Sequence, residues 1–87
     1  MPENVRVIRS AAGRDKDTLL AVVGEEDGCV LVADGRRRPL AGPKRKNPRH
    51  VVPTGISLPQ EAVRSDKALR RALRSARLNS EHERPYN

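Results

Sequence analysis

The sequence is nearly devoid of aromatic residues, with no tryptophan, no phenylalanine and a single tyrosine, Tyr86, next to its end. A core must therefore be built from valine, leucine, isoleucine and alanine. With 87 residues, the chain is long enough for one small domain with little apolar surface to spare. Proteins that bind single-stranded RNA stack its bases on Phe, Tyr or Trp, so we expect no stacking platform here.

Cysteine and long apolar runs are also scarce. The one cysteine, Cys29, cannot form an internal disulfide or a thiolate metal site, which favours a reducing, cytoplasmic setting. His50 and His82 lack the spacing of a zinc site. The longest apolar runs, 19–23 and 29–33, fall well short of the ~20 residues of a membrane span, and the first residues do not resemble a secretory signal. We expect no metal, no cofactor and no membrane partner.

Acidic residues are missing from one long segment. Residues 35–50 carry seven basic side chains and no acidic one, whereas residues 1–34 carry four basic and seven acidic side chains. Residues 51–79 carry six basic and two acidic side chains, and the whole chain has a formal charge of +7. Such clustering is typical of proteins that bind polyphosphate. No nucleophile–base set or glycine-rich phosphate loop is present, so we expect neither an enzyme nor a small-molecule substrate.

Alternating apolar residues and turn signals predict a β domain over residues 1–56. Gly13 can supply a left-handed turn after the first strand, and Asp-Gly pairs at 27–28 and 34–35 favour tight turns. The predicted strands are 5–9, 18–23, 29–33, 38–40 and 50–52. Five short antiparallel strands predict a small barrel, in which closure would remove most exposed edges.

The second and third predicted strands are apolar on both faces, so another element must cover one of them. Residues 57–79 are rich in Ala, Leu and Arg and predict an amphipathic basic helix, with Ser57 and Gln60 as a capping box. Its apolar stripe comprises Leu58, Ala62, Leu69, Ala72, Leu73 and Ala76. Its basic stripe comprises Arg64, Lys67, Arg70, Arg71, Arg74 and Arg77. Residues 80–87 are predicted to be a disordered tail.

Residues 7–16, with the sequence VIRSAAGRDK, resemble a KOW motif. Three further stretches extend the resemblance in the same order: 32–36, 43–46 and 49–54. Over residues 5–54 the chain resembles small bacterial KOW-domain RNA-binding proteins, which are similar to one KOW class of large-subunit ribosomal proteins. The resemblance implies an SH3-like five-stranded barrel that binds structured RNA, often in the ribosome. The sequence departs from the pattern at Asp17, where the family commonly has glycine.

The resemblance places Gly13, Arg14 and Lys16 in the KOW loop. It places four further residues on a basic side of the barrel: Arg36, Lys44, Lys46 and His50. The helix after residue 57 lies outside the resemblance, so its outward arginines are assigned from charge alone. The predicted RNA-binding residues are Arg14, Lys16, Arg36, Arg37, Arg38, Lys44, Arg45, Lys46, Arg49, His50, Arg70 and Arg74.

The sequence therefore predicts a non-catalytic, monomeric protein that binds folded RNA, rRNA in particular, through phosphate contacts. Two alternatives remain open at this point. The barrel could be an adaptor that docks another protein, with its charge serving solubility only. It could also be a KOW factor associated with DNA or transcription.

Overall fold

The chain folds into one antiparallel sheet and a C-terminal helix, which confirms the predicted mainly β class. The computed structural model describes residues 4–14 and 16–82, with side chains through residue 78. The strands are β1 (Asn4–Ser10), β2 (Leu19–Glu26), β3 (Cys29–Ala33), β4 (Lys44–Lys46) and β5 (Val51–Pro59). The helix α1 spans Asp66–His82, and two 3-10 helices span Pro48–His50 and Gln60–Val63. No helix in the described part of the chain is long and apolar enough to cross a membrane.

The sheet has the strand order β4-β3-β2-β1-β5, with every neighbouring pair antiparallel. Ile8 pairs with Leu20 of β2, and Ser10 pairs with Val51 of β5. The ladders shift register between Arg6 and Ile8 and again beside Gly24. Within the described residues β4 and β5 are the two edges and do not pair, so the sheet is open. The predicted closure of the sheet into a barrel is not confirmed.

The first three predicted strands are confirmed in position, whereas the fourth, at 38–40, is wrong. Those residues lie in a long connection, because Asp34 Oδ1 accepts hydrogen bonds from the backbone N–H groups of Arg36 and Arg38. A further turn follows, in which Gly42 N–H donates to the Pro39 carbonyl. Pairing with β3 resumes only at Lys44, opposite Val32. The last strand extends to nine residues instead of the predicted three at 50–52.

The predicted helix start at Ser57 is also wrong, because Ser57 lies in β5 opposite Arg6. The helix is capped instead by Ser65, whose Oγ accepts a hydrogen bond from the Ala68 N–H at 3.0 Å. Both serines have a sequence context compatible with an N-cap, and strand pairing decides between them. Residues 80–82 belong to α1, and the rest of the predicted tail lies outside the described residues.

Apolar residues are buried on both faces of the sheet, as the second and third predicted strands, which are apolar on both faces, indicate. One face packs under α1, where the buried helix residues Leu69, Leu73 and Ala76 meet Val7 and Ala21 of the sheet. All six residues of the predicted apolar stripe are buried or partly buried there, although Leu58 reaches this core from β5. The opposite face holds a second cluster of Ile8, Leu20, Val30 and Val32. The sheet and its connections must cover this second cluster, since α1 lies on the other side.

Candidate nucleic-acid interface

A cationic groove lies where α1 meets one end of the sheet. It has a volume of about 650 Å³ and is open to solvent along its length. Three parts of the chain contribute: α1, the end of the β1–β2 loop with the first residue of β2, and the turn that follows β3. The lining residues are Asp17, Thr18, Leu19, Asp34, Arg36, Lys67, Arg70, Arg71, Leu73, Arg74 and Arg77. Among the residues that the structure describes, six cations therefore share the groove with two carboxylates, and we call this set the α1 groove.

Two hydrogen bonds fasten the turn after β3 to the first turns of α1. Arg70 Nη1 donates to the Gly35 carbonyl at 2.7 Å, and the Leu40 N–H donates to Asp66 Oδ1 at 2.7 Å. Gly35 is buried and has φ +81°, and a Cβ at this position would lie 2.5 Å from the Asp66 carbonyl oxygen. Because only glycine fits such a close approach at positive φ, the sequence allows the turn to lie directly against the helix.

Asp34 gives this turn its shape. Its Oδ1 accepts from the N–H groups of Arg36 at 2.8 Å and Arg38 at 3.0 Å, an arrangement typical of aspartate-led turns. The Arg38 carbonyl in turn accepts from the N–H groups of Asp34 and Gly35. The arginines at 36–38 therefore project, exposed, from a backbone that is hydrogen-bonded on both sides.

A second group of predicted cations gathers beside the loop between β1 and β2. Gly13 and Asp17 both have positive φ, at +88° and +70°, which lets the loop turn back on itself. The Ala11 N–H donates to the His50 carbonyl at 2.8 Å. This bond brings the loop that carries the exposed Arg14 and Lys16 next to the 3-10 helix that carries Arg49 and His50. Asp17 also lines the α1 groove, so the loop borders both groups of cations.

The cations of β4 are placed differently from the prediction. Lys46 is buried, with 6 % of its surface exposed, and its Nζ donates to the Ala12 carbonyl at 3.1 Å. Arg45 forms an exposed ion pair with Glu26 at 3.1 Å, near the end of the sheet away from the groove. Lys44 is half-buried. We therefore assign Lys46 to the sheet scaffold, because its buried ammonium links β4 to the β1–β2 loop.

Sequence reasoning chose two of the groove arginines on α1, Arg70 and Arg74. It missed Lys67, Arg71 and Arg77 as site residues, although all three were placed on the predicted basic stripe. The missing information was the position of Arg36, which lines the same groove as these helix cations although they are distant in the sequence, and no local pattern reports such an arrangement.

Neither carboxylate of the groove forms an ion pair within 4.0 Å with a groove cation, as far as the described residues show. Among the residues that the structure describes, ion pairs within 4.0 Å join Arg6 to Glu25 and Arg45 to Glu26, and neither involves α1. Within the same part of the chain, no group of three or more His, Cys, Asp or Glu residues is arranged to hold a metal ion.

No protein-family model matches the sequence, and a search of curated proteins gives no significant match.

Proposed function

We propose that the protein is a non-catalytic RNA-binding protein that holds the phosphate backbone of folded RNA in the α1 groove. The observation that carries the proposal is the convergence of Arg36 with five cations of α1 on one open groove. Lys and Arg that contact phosphates release condensed counterions, and this release supplies most of the binding free energy. The exposed Arg14 and Lys16, on the adjoining loop, extend the cationic surface.

The spacing of the helix cations suits a linear polyanion. Lys67, Arg70, Arg71, Arg74 and Arg77 recur every three or four residues on one face of α1. At a rise of about 1.5 Å per residue, the row extends over about 15 Å. Four of the five are arginines, whose guanidinium groups can hold phosphate oxygens in a bidentate manner. A row of this length favours a chain of phosphates over a single small anion.

The groove offers no aromatic surface on which bases could stack. Its apolar lining consists of Leu19 and Leu73, and the described residues include no Phe, Tyr or Trp. Proteins that bind single-stranded RNA depend on such aromatic platforms. The groove therefore favours RNA whose bases are already paired, and it would recognise backbone and shape with little base selectivity.

The proposal includes a KOW-type, SH3-like arrangement of the sheet and a ribosome-associated role in the cytoplasm. Three features support that arrangement: the strand order, the 3-10 helix that leads into β5, and the conformation of Asp17. The KOW resemblance expects glycine at position 17, and Asp17 has a φ of +70°, in the region that glycine favours. Aspartate is among the few other residues that adopt this conformation at modest cost.

The test compares two triple variants that carry the same net charge. In the groove variant, Arg71, Arg74 and Arg77 are all changed to Gln. In the control variant, three exposed arginines outside the groove are changed instead: Arg6, Arg9 and Arg64. Binding to a fluorescently labelled RNA stem-loop is measured by anisotropy from 50 to 300 mM salt. The competitors are a DNA duplex of the same sequence and an unstructured RNA strand.

In the groove variant, the slope of log affinity against log salt should become less steep by about 2–3, and affinity at 0.1 M salt should fall about 100–500-fold. The control variant should bind nearly as tightly as the unmodified protein. Equal losses in the two variants would show that net charge alone attracts RNA, and would reject the groove as the site. No RNA binding by the unmodified protein would favour the adaptor alternative, and preference for the DNA duplex would favour a DNA-associated role. Co-sedimentation with ribosomal particles tests the ribosomal part of the proposal separately.

A further inference from the structure

We propose that Arg70 is a positioning residue that holds Arg36 in place, so that one RNA strand is gripped between the turn after β3 and α1. The inference rests on the proposed function, because it concerns how the same groove holds its ligand. It assigns different roles to two arginines that the sequence alone treats as equivalent: Arg36 contacts phosphate, and Arg70 fixes where Arg36 lies.

The contacts of Arg70 carry the argument. Its Nη1 donates to the Gly35 carbonyl at 2.7 Å, one residue before Arg36. Gly35 is buried and lies against the helix backbone at Asp66 and Arg70, so the bond joins two surfaces that are already in close contact. A guanidinium has five N–H donors, so this bond leaves others facing the groove. Arg70 therefore reaches across the junction between the two elements while keeping its charge beside the ligand.

Hydrogen bonds within the turn restrain the backbone at Arg36. The Arg36 N–H is held by Asp34 Oδ1 at 2.8 Å, and Asp34 in turn donates its own N–H to the Arg38 carbonyl. Because the turn is closed by these bonds, fixing the Gly35 carbonyl fixes the direction in which Arg36 leaves the backbone. The second attachment, from the Leu40 N–H to Asp66 Oδ1, holds the far end of the same connection.

The other helix cations do not have this link. Arg77 lines the same groove two turns along α1 from Arg70, and no hydrogen bond between described residues joins it to the turn. Its contribution to RNA affinity should therefore be independent of Arg36, since it depends only on α1. This difference between Arg70 and Arg77 gives a matched control within one groove.

The experiment is a pair of double-mutant cycles measured with the labelled RNA stem-loop at 0.1 M salt. One cycle combines R36Q with R70Q, and the control cycle combines R36Q with R77Q. Loss of one phosphate contact corresponds to about a 5–8-fold loss of affinity. R36Q should cost this much in the unmodified protein and in the R77Q background. In the R70Q background it should cost less than about twofold, because Arg36 is already displaced.

A third substitution, R70K, keeps the charge and protects the test against misfolding of R70Q. The lysine ammonium ends about one bond short of the guanidinium nitrogen that reaches the Gly35 carbonyl. R70K should therefore lose about 5–8-fold in affinity, and R36Q should add little to that loss. Far-UV circular dichroism confirms that each variant is folded.

The results separate the two proposals. If the R36Q effect is the same in the R70Q, R70K and unmodified backgrounds while RNA binding persists, Arg70 is a simple phosphate contact. That result overturns the positioning role and leaves the proposed function intact. If the unmodified protein does not bind the RNA, both proposals fall together.

Discussion

Replacement of Gly35 by alanine tests the seating of the turn on α1 more directly than any other change. The Cβ of G35A would lie 2.5 Å from the Asp66 carbonyl oxygen and 3.0 Å from Arg70 Cγ. Backbone atoms cannot move aside as a side chain can, so the turn must lift from the helix. Gly28 and Gly55 supply matched controls: their φ angles are both +79°, and a Cβ at either position meets nothing within 4 Å.

The magnitudes follow from two separate costs. A non-glycine residue in the left-handed region costs about 1–2 kcal/mol, of which about 0.4–1 kcal/mol is offset because alanine restricts the unfolded chain. G28A and G55A should therefore lower the free energy of unfolding by about 1 kcal/mol. G35A adds the cost of overpacking, about 1–3 kcal/mol, so its total should reach about 2–4 kcal/mol.

Urea denaturation followed by far-UV circular dichroism measures these differences. Tryptophan fluorescence is not an option, since the sequence contains no tryptophan. For a domain of this size, 1 kcal/mol corresponds to about 4–8 °C in Tm, so thermal unfolding should separate G35A from its controls clearly. If G35A unfolds within about 0.5 kcal/mol of G28A and G55A, the turn does not lie against α1. Arg36 would then not be held beside the helix, and the groove would not exist in the form described by its lining residues.

The remaining predictions concern the core, the helix cap and the groove charge. Leu69 is fully buried whereas Leu78 is 52 % exposed, so L69A should lower the free energy of unfolding by about 2–5 kcal/mol and L78A by less than about 0.5 kcal/mol, as measured by urea denaturation. Changing Ser65 to Ala removes the cap of α1 and should cost about 1 kcal/mol; no change in the unfolding midpoint would place the cap elsewhere. D17G removes a carboxylate from the groove and should tighten RNA binding severalfold, whereas D27G, the same change at positive φ at the other end of β2, should not. Equal effects of the two substitutions in the anisotropy assay would contradict this use of the groove.

Much of the sheet could be predicted from local patterns. Apolar residues alternate along β1, whereas β2 and β3 contain continuous apolar runs, and the Asp27-Gly28 pair has the positive φ angles of a tight hairpin turn. These signals lie within a few residues of one another, so no distant contact is needed to interpret them. The fourth strand was predicted at 38–40, where Pro39 is compatible only with an edge strand. The backbone of these residues is instead held in a turn, partly by Asp66, which lies 26 residues away from Leu40.

In the helix, too, some features follow from the local sequence and others depend on residues that are distant in the sequence. Its apolar stripe and its basic stripe follow from periodicity alone, and within α1 both are found where the periodicity predicts them. Three predicted members lie outside the helix: Leu58 in β5, Ala62 in the 3-10 helix and Arg64 just before α1. Its first residue does not follow, because Ser57 and Ser65 are both acceptable caps in isolation. The pairing of Ser57 with Arg6 in the sheet excludes the first of them.

For the candidate site, the amino-acid sequence by itself determined which residue types are available: many arginines, almost no aromatics, and glycines at the turns that need positive φ. Local chemistry suffices for these properties, because charge and conformational freedom belong to single residues. Only the tertiary structure decided which cations share a surface. Packing and pairing brought Arg36 to α1, while Lys46 was buried and Arg45 was paired with Glu26. The reason is physical: the core must be covered from both sides, and the elements that cover it set the positions of the charges they carry.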